Sequence, residues 1–261
     1  MTQLVLPVDA IGRDQVKEII ARTKGLVDYY KFGSIPFTAI GPELIAWGHA
    51  AGAKVFVDLK YHDIPNTVAG AAEACVGWGV DMFNVHVGGG KEMLLRTMER
   101  VRTTCAERKA NPPLVMGVTV LTSMNEAGWA ETYSIAPRPI LDQVLHFARL
   151  AKECGLDGVV ASAQEVETIK QECGGEFLVL TPGIRLPAEG EGRKVKFIPH
   201  PFSLLPVSGD DQARTMTPGE AARRGADFIV VGRPITQAPD PAAVCARIRE
   251  DIRAAAAEAH R

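Results

Sequence analysis

An eight-stranded parallel α/β barrel, the TIM (β/α)8 fold, is the architecture this sequence predicts, and three observations predict it. Short runs rich in Val, Ile, Leu and Phe recur eight times along the chain. Each is followed by a stretch of helical periodicity rather than by another strand-like run. Dividing the 261 residues by eight gives roughly 33 per unit, the repeat of a barrel of about 250 residues. A doubly wound sheet is the competing fold. It would carry a glycine-rich G-x-G-x-x-G turn after its first strand, where Ala10, Ile11 and Gly12 stand instead.

The strand-like runs are 4–9, 29–32, 54–60, 82–87, 114–118, 158–162, 177–181 and 228–232. Each is too short and too rich in branched and aromatic side chains to read as an isolated helix. Between the first two, Val16, Ile19, Ile20 and Thr23 recur at i, i+3, i+4 and i+7 and give one apolar helical face. Leu94, Met98, Val101 and Cys105 do the same after the fourth run, and Val244, Ile248 and Ile252 line one face of a closing helix over 241–259. No low-complexity linker divides 1–261, so a single barrel domain is expected, and no sequence repeat is evident beyond the strand–helix alternation. The segment 186–209, after the seventh run, mixes Gly, Pro and charge around a short apolar island. So extended a loop is either a lid over the site or a surface insertion.

Composition narrows the functional classes. The chain is 46% hydrophobic with a formal net charge of −2, so it can bury a core but has no global positive field to hold nucleic acid or an anionic membrane. Any anion site must be local. The apolar start is broken by Pro7 and Asp9 and has no basic leader, so no signal peptide is expected, and no apolar run approaches a membrane span. The five cysteines never fall at metal-knuckle spacing and read as reduced, mostly buried thiols of a cytoplasmic protein. H-E-x-x-H, G-x-S-x-G and Walker A patterns are all absent, so no dedicated zinc or iron set, serine hydrolase or nucleotide triphosphatase is expected.

Chemistry in such a barrel sits at the carboxyl ends of the strands. There the sequence places Asp9, Lys31, the pair Asp58 and Lys60, and His86, with Asp63 just beyond the third strand. Alternation along a strand puts Phe56, Asp58 and Lys60 on one face, so a carboxylate and an ammonium point the same way into a partly desolvated space. A rim salt bridge that only satisfies two side chains is the competing reading. Asp9 and Lys31 converging on the same rim weigh against it, because several ionisable groups in one place cost much desolvation. A lone strand-end histidine such as His86 reads as a structural hydrogen-bonding group. After the seventh and eighth strands, Gly183 and Gly232 allow close backbone approach, and Arg185 and Arg233 offer guanidinium forks suited to phosphate. A phosphorylated small molecule is implied.

These residues resemble those of the orotidine 5'-phosphate decarboxylase family. Asp58-Leu-Lys-Tyr-His-Asp-Ile-Pro-Asn-Thr67 is similar to its D-x-K-x-x-D signature in the bacterial form. Pro7-Val-Asp9, Lys31-Phe-Gly33, Asn84-Val-His86, Val118-Thr-Val-Leu-Thr-Ser-Met124, Thr181-Pro-Gly-Ile-Arg185, Gly209-Asp-Asp-Gln212 and Val230-Val-Gly-Arg-Pro-Ile-Thr236 follow in the family's order. The resemblance implies cofactor-free decarboxylation of orotidine 5'-phosphate to UMP and CO2, in a homodimer with sites at the interface. By position, it implies that Lys60 protonates C6 with Asp58 beside it, and that Asp63 and Thr67 are donated across the interface. Asp9 and Lys31 would hold the ribose hydroxyls, Ile64 would line the pocket and Thr122 would sit at the pyrimidine. Arg185, Gln212, Gly232 and Arg233 would take the phosphate. Relatives with the same D-x-K-x-x-D arrangement, keto-gulonate phosphate decarboxylase and hexulose phosphate synthase, are metal-dependent and act on sugar phosphates. A catalytically silent nucleotide-binding barrel is a further alternative.

Overall fold

A computed structural model describes residues 1–136, 138–186 and 216–258. Eight parallel strands close into a barrel in sequence order: β1 (Gln3–Pro7), β2 (Tyr29–Gly33), β3 (Lys54–Tyr61), β4 (Met82–His86), β5 (Leu114–Val118), β6 (Gly158–Val160), β7 (Leu178–Thr181) and β8 (Phe228–Val230). The helices that matter to the site are α1 (Pro65–Trp78), which follows β3, α2 (Lys91–Arg108), which follows β4, α3 (Pro218–Arg223), and the short α4 (Arg233–Thr236), which follows β8. The expected fold is the observed one, with strand ends shifted by one or two residues. The first strand stops at Pro7, so Asp9 lies beyond it rather than closing it, although Val8 still donates to the Lys31 carbonyl at 3.0 Å. The closing helix runs over Pro241–Glu258 with Ile248 and Ile252 buried.

Two apolar shells follow from the strand period. One lies inside the barrel, where Val5, Tyr29, Phe56, Met82, Met116, Leu180 and Phe228 pack in a layer, with Tyr29 set edge-on against Phe228. The other lies between strands and helices, where Leu4, Leu6, Tyr30, Phe32, Val55, Val57, Phe83 and Val85 meet the helical faces. All five cysteines are buried and free, as their spacing leads one to expect. Among the described residues, no helix is long and apolar enough to cross a membrane.

The amino ends of the strands carry a repeat that hydrophobic patterning does not reveal. Asp28, Asp81, Asp157 and Asp227 stand just before the even-numbered strands. Each accepts a hydrogen bond from the backbone of the preceding strand, at Leu4, Val55, Val115 and Val179, over 2.7–2.8 Å. Each follows, by two or three residues, a glycine with positive φ, namely Gly25, Gly79, Gly155 and Gly225. The barrel is thus built from four two-strand units, each closed at its base by a carboxylate that satisfies a backbone donor. Position at the amino end makes these residues structural and leaves the opposite rim for chemistry.

Candidate functional site

The layer above the apolar plug is polar because the pleat continues with different residues. Two positions beyond Tyr29, Phe56 and Met82 come Lys31, Asp58 and Asn84, on three adjacent strands. Asp58 is only 8% exposed. Its Oδ2 lies 2.8 Å from Lys31 Nζ, and its Oδ1 accepts from Lys60 Nζ at 2.7 Å and from Asn84 Nδ2 at 2.7 Å. Burial works to raise the Asp58 pKa, and the two ammonium groups, with Lys31 the stronger, outweigh it, so the carboxyl titrates below the ordinary range. Burial would likewise push Lys31 down, but Asp58 and then Asp9, whose Oδ1 is 3.9 Å away, hold it above its usual value. Lys31 and Asp58 therefore form a fixed ion pair, and Lys60 rests on it with its side chain 37% exposed toward the barrel mouth.

Lys60 reaches this place by a break in the ladder. Between Val57↔Phe83 and Tyr61↔Val85, β3 advances four residues while β4 advances two, a bulge at the site. Lys60 has a φ of +51°, the left-handed region that a side chain with a Cβ seldom occupies. Strict alternation over Phe56, Asp58 and Lys60 is therefore corrected: Asp58 follows the pleat, whereas Lys60 meets Asp58 through the bulge. Asn84 also closes this gap, because its Oδ1 accepts from the Lys60 backbone N–H at 2.8 Å. Sequence reading gives Asn84 no role of its own; its only signal is its place in Asn84-Val-His86.

The other expected residues divide by location. Asp63 and Ile64 lie exposed on the turn into α1, where Asp63 Oδ1 accepts from the Ile64 N–H at 2.6 Å, and Thr67 is exposed in the first turn of α1. Approach of Asp63 to the Lys60 ammonium of its own chain is not what the structure brings about. Thr122 is half-buried in the loop after β5. On the far side, β7 and β8 emerge side by side. Gly183 has a φ of +78°, and Arg185 N–H donates to the Met216 carbonyl at 2.9 Å across an isolated bridge. A Cβ at Gly232 would come within 2.8 Å of Pro7 Cγ, so a larger residue there would force one of the two to shift. Its carbonyl accepts from the Ile235 N–H at 2.8 Å, at the start of α4, and Arg233 stands exposed beside it. Gln212 and nearly all of the 186–209 loop lie outside the described residues.

His86, at the end of β4, faces His62 with ring centroids 5.2 Å apart. Burial, then His62 and Lys60, lower its pKa to about 4 against the opposing pull of Asp58, so the ring is neutral near pH 7. Among the described residues, no three His, Cys, Asp or Glu side chains gather as a metal site. The arrangement can present a lysine N–H beside a carboxylate whose own charge is already neutralised from behind. It can therefore meet negative charge as it develops, with little reorganisation.

The chain is similar over nearly its whole length to proteins of one family. The model of the family described as Orotidine 5'-phosphate decarboxylase / HUMPS matches residues 2–248. The orotidine 5'-phosphate decarboxylase of Syntrophus aciditrophicus (strain SB) is 45% identical over 232 residues, covering 89% of this chain and 85% of that protein. That of Syntrophotalea carbinolica is 41% identical over 256 residues, covering 98% and 97%. The crystal structure of orotidine 5'-phosphate decarboxylase from Lactobacillus acidophilus matches with a TM-score of 0.77 at 30% identity, covering 97% of this chain and 99% of that one.

Proposed function

The chain belongs to the orotidine 5'-phosphate decarboxylase / HUMPS family, and on that premise we propose that it converts orotidine 5'-phosphate to UMP and CO2, with Lys60 as the proton donor. The observation that carries this reading is Lys60 Nζ held 2.7 Å from a buried Asp58 whose other oxygen is taken by Lys31. Breaking the C6–carboxylate bond leaves an electron pair on C6 that the pyrimidine ring delocalises poorly, so a preformed cation must meet it. Lys60 donates its proton to C6 as CO2 departs, giving UMP and a neutral amine that water reprotonates.

The phosphate does not react, yet its binding can offset the cost of bringing the substrate carboxylate up to Asp58. Arg185, Gly232 and Arg233, grouped at the β7 and β8 ends, suit that role, with Gln212 assigned there by family position. Asp9 and Lys31 suit the ribose hydroxyls, and Thr122 the pyrimidine. Asp63 and Thr67 reach the site of a second copy in a homodimer, and Ile64 between them lines the pocket there. Their exposure supports this, since Ile64 is 67% exposed in the single chain. The purified protein, given orotidine 5'-phosphate in EDTA, is expected to deplete substrate absorbance and release UMP. Turnover of sugar phosphates on addition of magnesium, with none of orotidine 5'-phosphate, would move the assignment to the metal-dependent branch.

A further inference from the structure

Asn84 is 1% exposed and its side chain makes two hydrogen bonds, both to the charged array. Its Nδ2 donates to Asp58 Oδ1, and its Oδ1 accepts from the backbone N–H of Lys60. A carboxamide of this length offers one donating and one accepting end in a rigid plane, so the two bonds constrain each other. We propose that Asn84 is a positioning residue for the decarboxylation, locking the β3 bulge at Lys60 and the rotation of the Asp58 carboxylate with a single side chain. The proposal rests on the roles given above to Lys60 and Asp58.

The ladder itself cannot do this. Across the bulge, Asp58, Leu59 and Lys60 all face the single β4 residue Asn84, so the Lys60 N–H would be left without its strand partner. The Asn84 oxygen takes that N–H and supports a left-handed backbone that the Lys60 Cβ disfavours. On the other side, Asp58 Oδ1 accepts from both Lys60 Nζ and Asn84 Nδ2 while Oδ2 faces Lys31. Three donors fix the carboxylate plane; two ammonium groups on flexible stems would leave it free to turn. Lys60 Nζ is thereby set from both ends, by its own backbone and by the carboxylate it rests on.

Two variants separate positioning from simple stability. Asn84→Ala removes both bonds and is expected to lower kcat about 10²-fold, the scale of a small misplacement of a reacting group, while KM and the Kd for UMP stay within about threefold. Asn84→Asp keeps the acceptor but sets a second carboxylate against Asp58. Protonating it restores the donor, so its activity should recover relative to the natural chain as pH falls from 8 to 5.5. The titratable groups around position 84 are Asp58 and Lys60 on β3, which bond Asn84 directly, Lys31 on β2, which pairs with Asp58 and has Asp9 beside it, and His86 on β4 with His62 against it. All are common to both proteins, so the difference between the profiles belongs to the new carboxylate. A crystal structure of Asn84→Ala should show Lys60 leaving its φ of +51° or its contact with Asp58. The proposal is overturned by an Asn84→Ala kcat within about threefold of the natural chain, by equal losses in kcat and UMP affinity, by parallel pH profiles for Asn84→Asp, or by an unchanged Lys60 in the crystal. If the natural chain leaves orotidine 5'-phosphate untouched, the decarboxylase reading falls, and the crystal structure alone decides the role of Asn84.

Discussion

At Asp58, desolvation and pairing oppose each other, and the pairing wins because two ammonium groups and one carboxamide share its two oxygens. The opposite case is His86, where burial and cationic neighbours leave the ring neutral at a pKa of about 4. An unfolded histidine takes its proton near pH 6.5, so between pH 6.5 and about 4 the unfolded chain binds a proton that the folded chain refuses. Stability must fall as pH falls through that window. Asp58 behaves otherwise: its stabilisation is present above the ordinary carboxylate pKa and is lost only as pH drops through its lowered value. Urea unfolding at pH 7, 5.5 and 4.5 should therefore show a shallower acid loss for His86→Gln than for the natural chain. Equal slopes would show that His86 does not stay neutral on folding.

Element-level features show which physical signals a sequence displays. The eight strands were legible because each is a short branched or aromatic run bounded by helical periodicity, and the charged rim because Asp58 and Lys60 sit at its strand end in a spacing that resembles a family motif. The β3 bulge was not. Alternation places Lys60 on the Asp58 face, and nothing in Asp58-Leu-Lys60 announces a left-handed lysine, because that conformation is imposed by the partner strand through Asn84. The four basal aspartates were equally hidden from a hydrophobicity reading. Their signal is a glycine followed two or three residues later by Asp, before every second strand, a pattern that acquires meaning only once strand pairing is known. Boundaries moved where backbone pairing, not side-chain character, ends a strand, as at Pro7.

For the whole molecule, the barrel holds one charge layer on its apolar plug and leaves Asp63, Ile64 and Thr67 turned outward, a distribution that suits a site finished by a second copy. If so, chains carrying Lys60→Ala and chains carrying Asp63→Ala, each nearly inactive alone, should regain about a quarter of natural activity after mixing and re-pairing, since half of the random pairs contain one intact site. Additive, unrecovered activity would place both residues in the same chain's site. In the proposed reaction the Lys60 ammonium meets the charge left on C6. Lys60→Ala in EDTA, with orotidine 5'-phosphate turnover and UMP affinity measured on the same preparation, tests this. The expected result is a loss of turnover of at least about 10³-fold with UMP binding still measurable; turnover within about tenfold of the natural chain, with UMP bound normally, would contradict it.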